Sequence, residues 1–554
     1  MLATWFRMQG LGRSLWLDEA WVANSVLETT VPRMLFYDAW VPSPEPGFLL
    51  TSRLVTSWLG PSSLHFRIVP LAFSLIGLLA MLLLLRCLFP TAWTAFGFAL
   101  FAMSPTAILY AHSFKHYSTQ LAMAPILLLA AVHCNRRPGP RNFALLLAAI
   151  LVTTLFSYPT VLLLPAVVIL VGQPQSGDSI DYSRVRQGIF AALWGLGVFG
   201  LLYVAVIRHN INAALRVFFA NPAVGVVNHL SRAVTFLFGP YRTLLPIPER
   251  LLTSTGHPVG LVAGLGLIGV AALFYQRERP SRRWLVLAVV LPQLAAILLD
   301  TMDRYPAGPR TMLFLLPCDV ILVTSLLESV VASISELAAS EVVRRRLRFA
   351  APVAAVLILG IGCSRQRRTP PPYPDDEDMA GAVAWLKSAF HDGDALYVHT
   401  SVQEEFKLYS RILGFAPPAV QLGNTGWPCC PRHVESWKHQ GSVDLVEKDI
   451  TRLYPVSLPA RLWELHTRRP EQWTYIGLDE GKVLQALFIQ RGCTLAYFGE
   501  WRNLAVSRFN CPTGDKKDAF STANSSIPGS ADCRSSLKVG QADAVSNLPC
   551  LAAR

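Results

Sequence analysis

Two adjacent carboxylates, Asp18 and Glu19, sit between tryptophans in the stretch SLWLDEAW, near the start of a chain that is otherwise largely apolar. An ionised carboxylate in such a setting can remove a proton from an incoming hydroxyl. Two further polar stretches carry cations. YAHSFKHYS, residues 110–118, holds Lys115, His116 and Tyr117, and DTMDRYPAGPR, residues 300–310, holds Arg304, Tyr305 and Arg310. Cations of this kind stabilise negative charge that develops on a departing phosphate. Acids in one stretch and cations in two others are the parts needed to join a nucleophile to a group carried on phosphate.

Each stretch also has a plainer reading. An Asp-Glu pair after Trp16 starts an interfacial helix well, because acids are favoured at helix N-termini. Lys115 and Tyr117 fit a snorkelling lysine and an aromatic belt residue. Arg304 and Arg310 fit contacts to lipid headgroups. Asp319, inside an apolar run, reads either as a functional group or as a structural partner facing other helices.

The elements that must position these residues follow from composition. Of 554 residues, 52% are hydrophobic and 15% charged, whereas a soluble chain carries about 25% charged residues. The apolar residues come in blocks, and about 20 of them make a bilayer-spanning helix. Ten spans are predicted, at 66–86, 93–110, 117–133, 142–157, 159–172, 188–207, 258–275, 284–300, 311–331 and 349–362. Pro159 marks a reversal between the fourth and fifth, since proline cannot continue the preceding helix. The formal charge of +13 is read as a topology signal, and nucleic-acid binding is set aside because the basic residues fall in short clusters between apolar runs. Arg136, Arg137 and Arg141, then Arg277, Arg279, Arg282 and Arg283, then Arg344, Arg345, Arg346 and Arg348 all fall on one face, predicted to be cytoplasmic. SRQRR at 364–368 dissents.

The acid stretch, the two cationic stretches and everything after residue 363 are then predicted to lie outside the cytoplasm. The expected organisation is an outer loop at 1–65, a helical membrane domain at 66–363, a soluble α/β domain at 370–510 and a disordered tail at 511–554. In the soluble part, MAGAVAWLKSAF has helical periodicity and DALYVHT reads as a buried strand, with TYIGL and TLAYFG as further strands. Six cysteines (Cys429, Cys430, Cys493, Cys511, Cys533 and Cys550) lie there. Disulfides are expected in an oxidising compartment, with the pairing open. Within this part no CxxC or HxxxH spacing points to a metal.

Taken in order, SLWLDEAWVANSV, EPGFLLTSRLVTSWLGPSSLHFRIVPLAFSLIGLLAMLLL, MSPTAILYAHSFKHYS and RYPAGPRTMLFLLP resemble the polyprenyl-phosphate-dependent GT-C glycosyltransferases. The likeness is to the bacterial family 39 and ArnT-like members, themselves similar to the dolichyl-phosphate-mannose protein mannosyltransferases, and it covers residues 10–365. It implies a polytopic α-helical membrane protein of GT-C type with a C-terminal extracytoplasmic α/β domain. It also implies Asp18 as catalytic carboxylate and Glu19 as its motif partner. Lys115 and Tyr117 would occupy the basic and tyrosine places of a YSxExRxY pattern, and Arg310 the place of an arginine near the lipid phosphate. His116, Arg304 and Tyr305 are expected to line the same substrate site.

The implied reaction moves a sugar from a polyprenyl-phosphate donor to a lipid, glycan or protein acceptor by inverting single displacement, in the cell membrane. Ser113 stands where many relatives carry a glutamate, so no metal cofactor is expected, although a divalent ion is not excluded. The family also places a membrane helix before the Asp-Glu loop. The chain as given is expected to lack it, through a wrongly chosen start codon or a truncation, and to express poorly or be inactive. Two rivals remain: a transporter or flippase of lipid-linked sugars, whose polar residues should lie at mid-membrane depth, and a non-catalytic scaffold.

Overall fold

The computed structural model describes residues 2–37, 44–174, 181–210, 280–302, 305, 310–336, scattered positions from 340 to 356, and 377–423, 443–455, 457–468 and 480–512. The predicted span 258–275, most of 349–362, Arg304, the TYIGL strand, Cys429, Cys430, Cys533, Cys550 and the tail beyond 512 lie outside the described residues. Two compact units divide the chain. One comprises Met1–Arg13 and Ser25–Pro372, the other Ser14–Asn24 and Tyr373–Arg554.

Among the described residues the N-terminal part has four helices: α1 (Leu2–Met8), α2 (Leu17–Val26), α3 (Val31–Leu35) and α4 (Pro46–Leu59). The first unit continues with α5 (Ser63–Leu88), α6 (Thr91–Ala102), α7 (Pro105–Ala111), α8 (Tyr117–Arg136), α9 (Pro140–Phe156), α10 (Leu164–Gly172) and α11 (Tyr182–Leu202). It closes with α12 (Pro280–Thr301) and α13 (Leu316–Glu336). Among the described residues four helices are long and apolar enough to cross a membrane: Ser63–Leu88, Tyr117–Arg136, Tyr182–Asn210 and Leu313–Glu336. Helices α6 and α7 meet the same test as a pair bent by 56°. In hydrocarbon every backbone group must be satisfied internally, which leaves helices as the way for these apolar runs to fold.

The breaks between helices have local causes. Ser62 caps α5 by accepting the His65 N–H at 3.1 Å. Ser104 accepts the Ala107 N–H at 3.5 Å and Pro105 opens α7, so the predicted span 93–110 is a bent pair. At Pro159 the chain takes a 3-10 turn, Tyr158–Leu163, before α10. Packing relies on small residues that let backbones approach. A Cβ added at Gly77 of α5 would stand 3.1 Å from the Ala122 Cα of α8. One added at Gly188 of α11 would stand 3.0 Å from both the Cα and the carbonyl oxygen of Val168 in α10.

The second unit is α/β. Among the described residues five strands, β1 (Asp394–Val398), β2 (Val420–Leu422), β3 (Arg461–Thr467), β4 (Thr494–Trp501) and β5 (Leu504–Asn510), form a sheet of order β2-β1-β3-β5-β4. β1 pairs in parallel with β2 and β3, while β5 pairs antiparallel with β3 and β4. Helices α14 (Met379–Ala389), α15 (Gln403–Leu413), α16 (Val443–Leu453) and α17 (Glu480–Gln490) accompany it. β1 is buried at all five positions, as the predicted strand required. Arg502 and Asn503 make the tight turn from β4 to β5, with Asn503 at φ 55°, a left-handed position that asparagine tolerates. A disulfide joins Cys493 to Cys511 at the far end of that hairpin, with Cα atoms 4.1 Å apart.

Gly188→Val should lower the melting temperature of the detergent-purified protein by several degrees, the scale of about 1–3 kcal/mol of overpacking against a backbone that has no room to yield. Gly197→Ala, where an added Cβ meets nothing within 4 Å, should leave the melting curve unchanged.

Candidate active site

The acid pair opens α2, with both residues in its first turn. The Trp16 carbonyl accepts the N–H groups of Glu19 and Ala20 at 2.8 Å each. The Glu19 carboxylate reaches back to accept the Trp16 N–H at 3.3 Å, the reciprocal half of a capping box. Glu19 is fully buried, whereas Asp18 is half-buried. The two acids therefore differ in setting: Glu19 caps the helix, and Asp18 is partly open to solvent. Both belong to the second unit.

The cationic stretches belong to the first unit. Lys115, His116 and Tyr117 form the tight turn between α7 and α8 and are all buried. Ser113 shapes that turn: its hydroxyl donates to the Leu109 carbonyl at 2.8 Å, and its own carbonyl accepts the Lys115 N–H at 2.7 Å. The Tyr117 ring lies 4.8 Å from Tyr110 and 4.5 Å from His116. Tyr305 donates to the Thr311 carbonyl at 2.5 Å and packs edge-on against Phe314. Arg310 is half-buried just ahead of α13.

These residues gather around a carboxyl group that the sequence reading assigned no role. Glu45, directly before the Pro46 that opens α4, is 1% exposed. Its Oε1 accepts from the Gln120 side-chain amide at 2.7 Å and from the Tyr158 N–H at 3.3 Å. Its Oε2 stands 4.0 Å from the His116 Nε2. Burial pushes the Glu45 carboxyl up to about 8, against the Gln120 and backbone hydrogen bonds that favour its ionised form. Burial, and then the charges of Lys115 and Arg310, push His116 down to about 3. The contact is thus a neutral acid facing a neutral imidazole at neutral pH. Burial and then the charges of Glu45 and Tyr117 raise the Tyr305 hydroxyl.

Five buried polar atoms around Glu45 have no hydrogen-bond partner among the described residues: Glu45 Oε2, His116 Nδ1, Gln120 Oε1, Ser157 Oγ and Tyr158 OH. Such groups cost free energy until something partners them, so the cluster has the composition of a polar binding pocket. A sequence signal for it existed in the acid immediately before proline at the head of an apolar helix, and in Gln120 within the first turn of a span. A second set of cations lies near His112 of the same unit. Burial, then Arg13, Arg67 and Arg7, push His112 down to about 3. Asp319 is 7% exposed in the first turn of α13. Among the described residues no three His, Cys, Asp or Glu side chains cluster as a metal site requires.

No protein-family model and no curated protein sequence matches the chain. Its fold does have solved counterparts. ArnT from Cupriavidus metallidurans bound to undecaprenyl phosphate superimposes with a TM-score of 0.50 at 13% identity, over 92% of this chain and 96% of that one. ArnT in the apo state gives 0.49 at 14% identity over the same shares. The apo oligosaccharyltransferase of Archaeoglobus fulgidus gives 0.45 at 12% identity, over 93% of this chain and 74% of that one.

A carboxyl with a folded value near 8 and an ordinary value of 4.5 contributes stability that is fully present below 4.5 and lost as pH rises through 8. Above pH 6.5, where His116 is neutral folded or unfolded, the melting temperature should fall to about pH 8.5. Glu45→Gln, which keeps the acceptor for Gln120, should flatten that slope and recover on the order of 1–2 kcal/mol at the alkaline end.

Proposed function

We propose that this chain is an integral-membrane glycosyltransferase that moves a sugar from a polyprenyl-phosphate donor to an acceptor outside the cytoplasm. The observation that carries the reading is the fold: it matches nearly the whole length of an ArnT crystallised with undecaprenyl phosphate. The residues supply the chemistry. Asp18 takes the proton from the acceptor hydroxyl as that oxygen attacks the anomeric carbon. The bond between the anomeric carbon and the phosphate oxygen breaks, and the phosphate leaves with the electron pair. Lys115 and Arg310 stabilise the charge it gains, with Arg304 in the same role. A single displacement inverts the anomeric centre.

The unpartnered polar atoms around Glu45 suit the hydroxyls of a hexose or pentose, because a neutral carboxylic acid, an amide and a phenol offer both donors and acceptors. His116, Tyr117 and Tyr305 line that cluster as aromatic walls. The acceptor is a hydroxyl of a lipid, glycan or protein. The Cys493–Cys511 disulfide supports an extracytoplasmic position for the second unit, since such bonds persist in oxidising compartments, and the arginine-rich turns support the same orientation in the cell membrane. These steps are assigned to side chains of the chain itself, without a metal ion. Asp319, buried at the head of a span, favours the transporter reading. Against it, Glu45, Lys115, His116 and Arg310 cluster at helix ends, where surface chemistry belongs.

In membranes supplied with radiolabelled polyprenyl-phosphate sugars, Asp18→Asn should cut donor turnover by about a hundredfold or more, the scale of a lost general base. Lys115→Gln and Arg310→Gln should each cost about tenfold or more in kcat/KM through lost phosphate contacts. Equal turnover by wild type and Asp18→Asn would remove the transferase reading and move the transporter and scaffold readings ahead.

A further inference from the structure

The second unit is discontinuous in sequence, and its inserted piece, Ser14–Asn24, is the acid stretch. Ser14 joins the N-terminal cap of α14. Its hydroxyl donates to Asp378 Oδ1 at 3.2 Å and accepts the Ala380 N–H at 3.2 Å. The Leu15 N–H donates to the Tyr409 hydroxyl on α15 at 2.6 Å. Past Asp18, the Asn24 side-chain amide donates to Glu404 twice, to Oε2 at 2.7 Å and to the carbonyl oxygen at 2.9 Å. Between these anchors Leu15, Glu19, Ala20, Val22 and Ala23 are fully buried.

The anchors have a common location in the sheet. β1 lies between β2 and β3, so the chain changes direction of winding between β1 and β3. In doubly wound sheets this switch point, at the carboxyl ends of the strands, is where ligands bind. Glu404 lies in the first turn of α15, the helix that follows β1. Asp378 follows Glu377, whose carboxylate accepts from Thr467 at the end of β3 at 2.8 Å. Ser14–Asn24 therefore runs from the carboxyl end of β3 to that of β1, where a doubly wound enzyme would hold its substrate.

We infer that the C-terminal α/β unit positions the acid-bearing helix, with Asp378, Tyr409 and Glu404 as positioning residues, an inference that rests on the reading of Asp18 as the base. Contacts on both sides of Asp18 fix where the helix starts and how it is turned about its axis. Over ten residues at about 1.5 Å per residue, two fixed ends leave a short rigid rod. Asp18 is left half-exposed on it, while its neighbour Glu19 is buried in the cap.

The test uses the full-length protein with Tyr409→Phe, Asn24→Ala and the conservative Glu404→Gln, whose amide oxygen still accepts from Asn24. Two readouts are needed: amide hydrogen exchange across residues 15–24, and kcat with KM on radiolabelled polyprenyl-phosphate sugars. Tyr409→Phe should speed exchange in 15–24 by about tenfold, the effect of one lost buried hydrogen bond, and Asn24→Ala, which loses two, by at least about as much. They should lower kcat by about tenfold with KM for the donor changed less than about twofold, and Glu404→Gln should stay near wild type. Unchanged exchange in both variants overturns the inference outright. Faster exchange with unchanged kcat, while Asp18→Asn still abolishes turnover, overturns positioning and leaves the transferase standing. If Asp18→Asn has no effect, the transferase reading fails, and exchange alone decides whether this unit holds the helix. Should Tyr409→Phe not fold, Asn24→Ala carries the same comparison.

Discussion

A polar group withdrawn from water must be neutralised or partnered, and this constraint organises the first unit. Its apolar helices satisfy their own backbones, so polar side chains collect where helices begin, end or bend. Arg7 is fully buried, yet it donates to Ser74 at 2.9 Å and to the Ala102 carbonyl at the end of α6 at 2.8 Å. Arg67, also fully buried, donates to the carbonyls of Leu11 and Arg13. The Arg7 guanidinium serves a carbonyl at a helix C-terminus, where a cation is favoured, and Arg67 serves carbonyls of the turn between α1 and α2. Glu45 meets the constraint differently, by holding its proton. The same burial that makes it a neutral acid leaves its second oxygen, and four neighbouring polar atoms, ready for a partner.

The two acids of SLWLDEAW divide along the same line. Glu19 is committed to the backbone of its own helix, and its burial is compensated by the Trp16 N–H. Asp18 stays half-exposed. Adjacent residues of one type thus differ in burial at a helix N-terminus whose orphan donors Glu19 helps to fill.

Hydropathy alone located several of the long apolar helices among the described residues. The predicted 66–86 and 117–133 compare with Ser63–Leu88 and Tyr117–Arg136, because a run of leucine and alanine bounded by polar residues has few other ways to fold. The bend between α6 and α7 was not legible. Pro105 was visible, but a proline opening a helix and one kinking a span look alike until packing decides. Glu45 was missed because its partners Gln120 and Tyr158 lie 75 and 113 residues away. Its burial is a tertiary fact, and no local pattern announces it. The strand DALYVHT and the helix of MAGAVAWLKSAF were read correctly from period and composition. The partnership of α14 and α15 with Ser14–Asn24 spans more than 360 residues, far beyond any periodicity.

That distance has a consequence for biogenesis. Leu15 and Tyr409 are 394 residues apart, and ribosomes add about 5–20 residues per second. The acid-bearing helix is therefore made roughly 20–80 s before the surface that receives it. For that interval the apolar side of Leu15, Ala20, Val22 and Ala23 must be shielded by the membrane interface or by a chaperone. Translation must finish β1 and α15 before the helix can settle. Premature termination anywhere between the last span and residue 409 would leave every membrane helix intact and yet release a chain whose Asp18 has no seat.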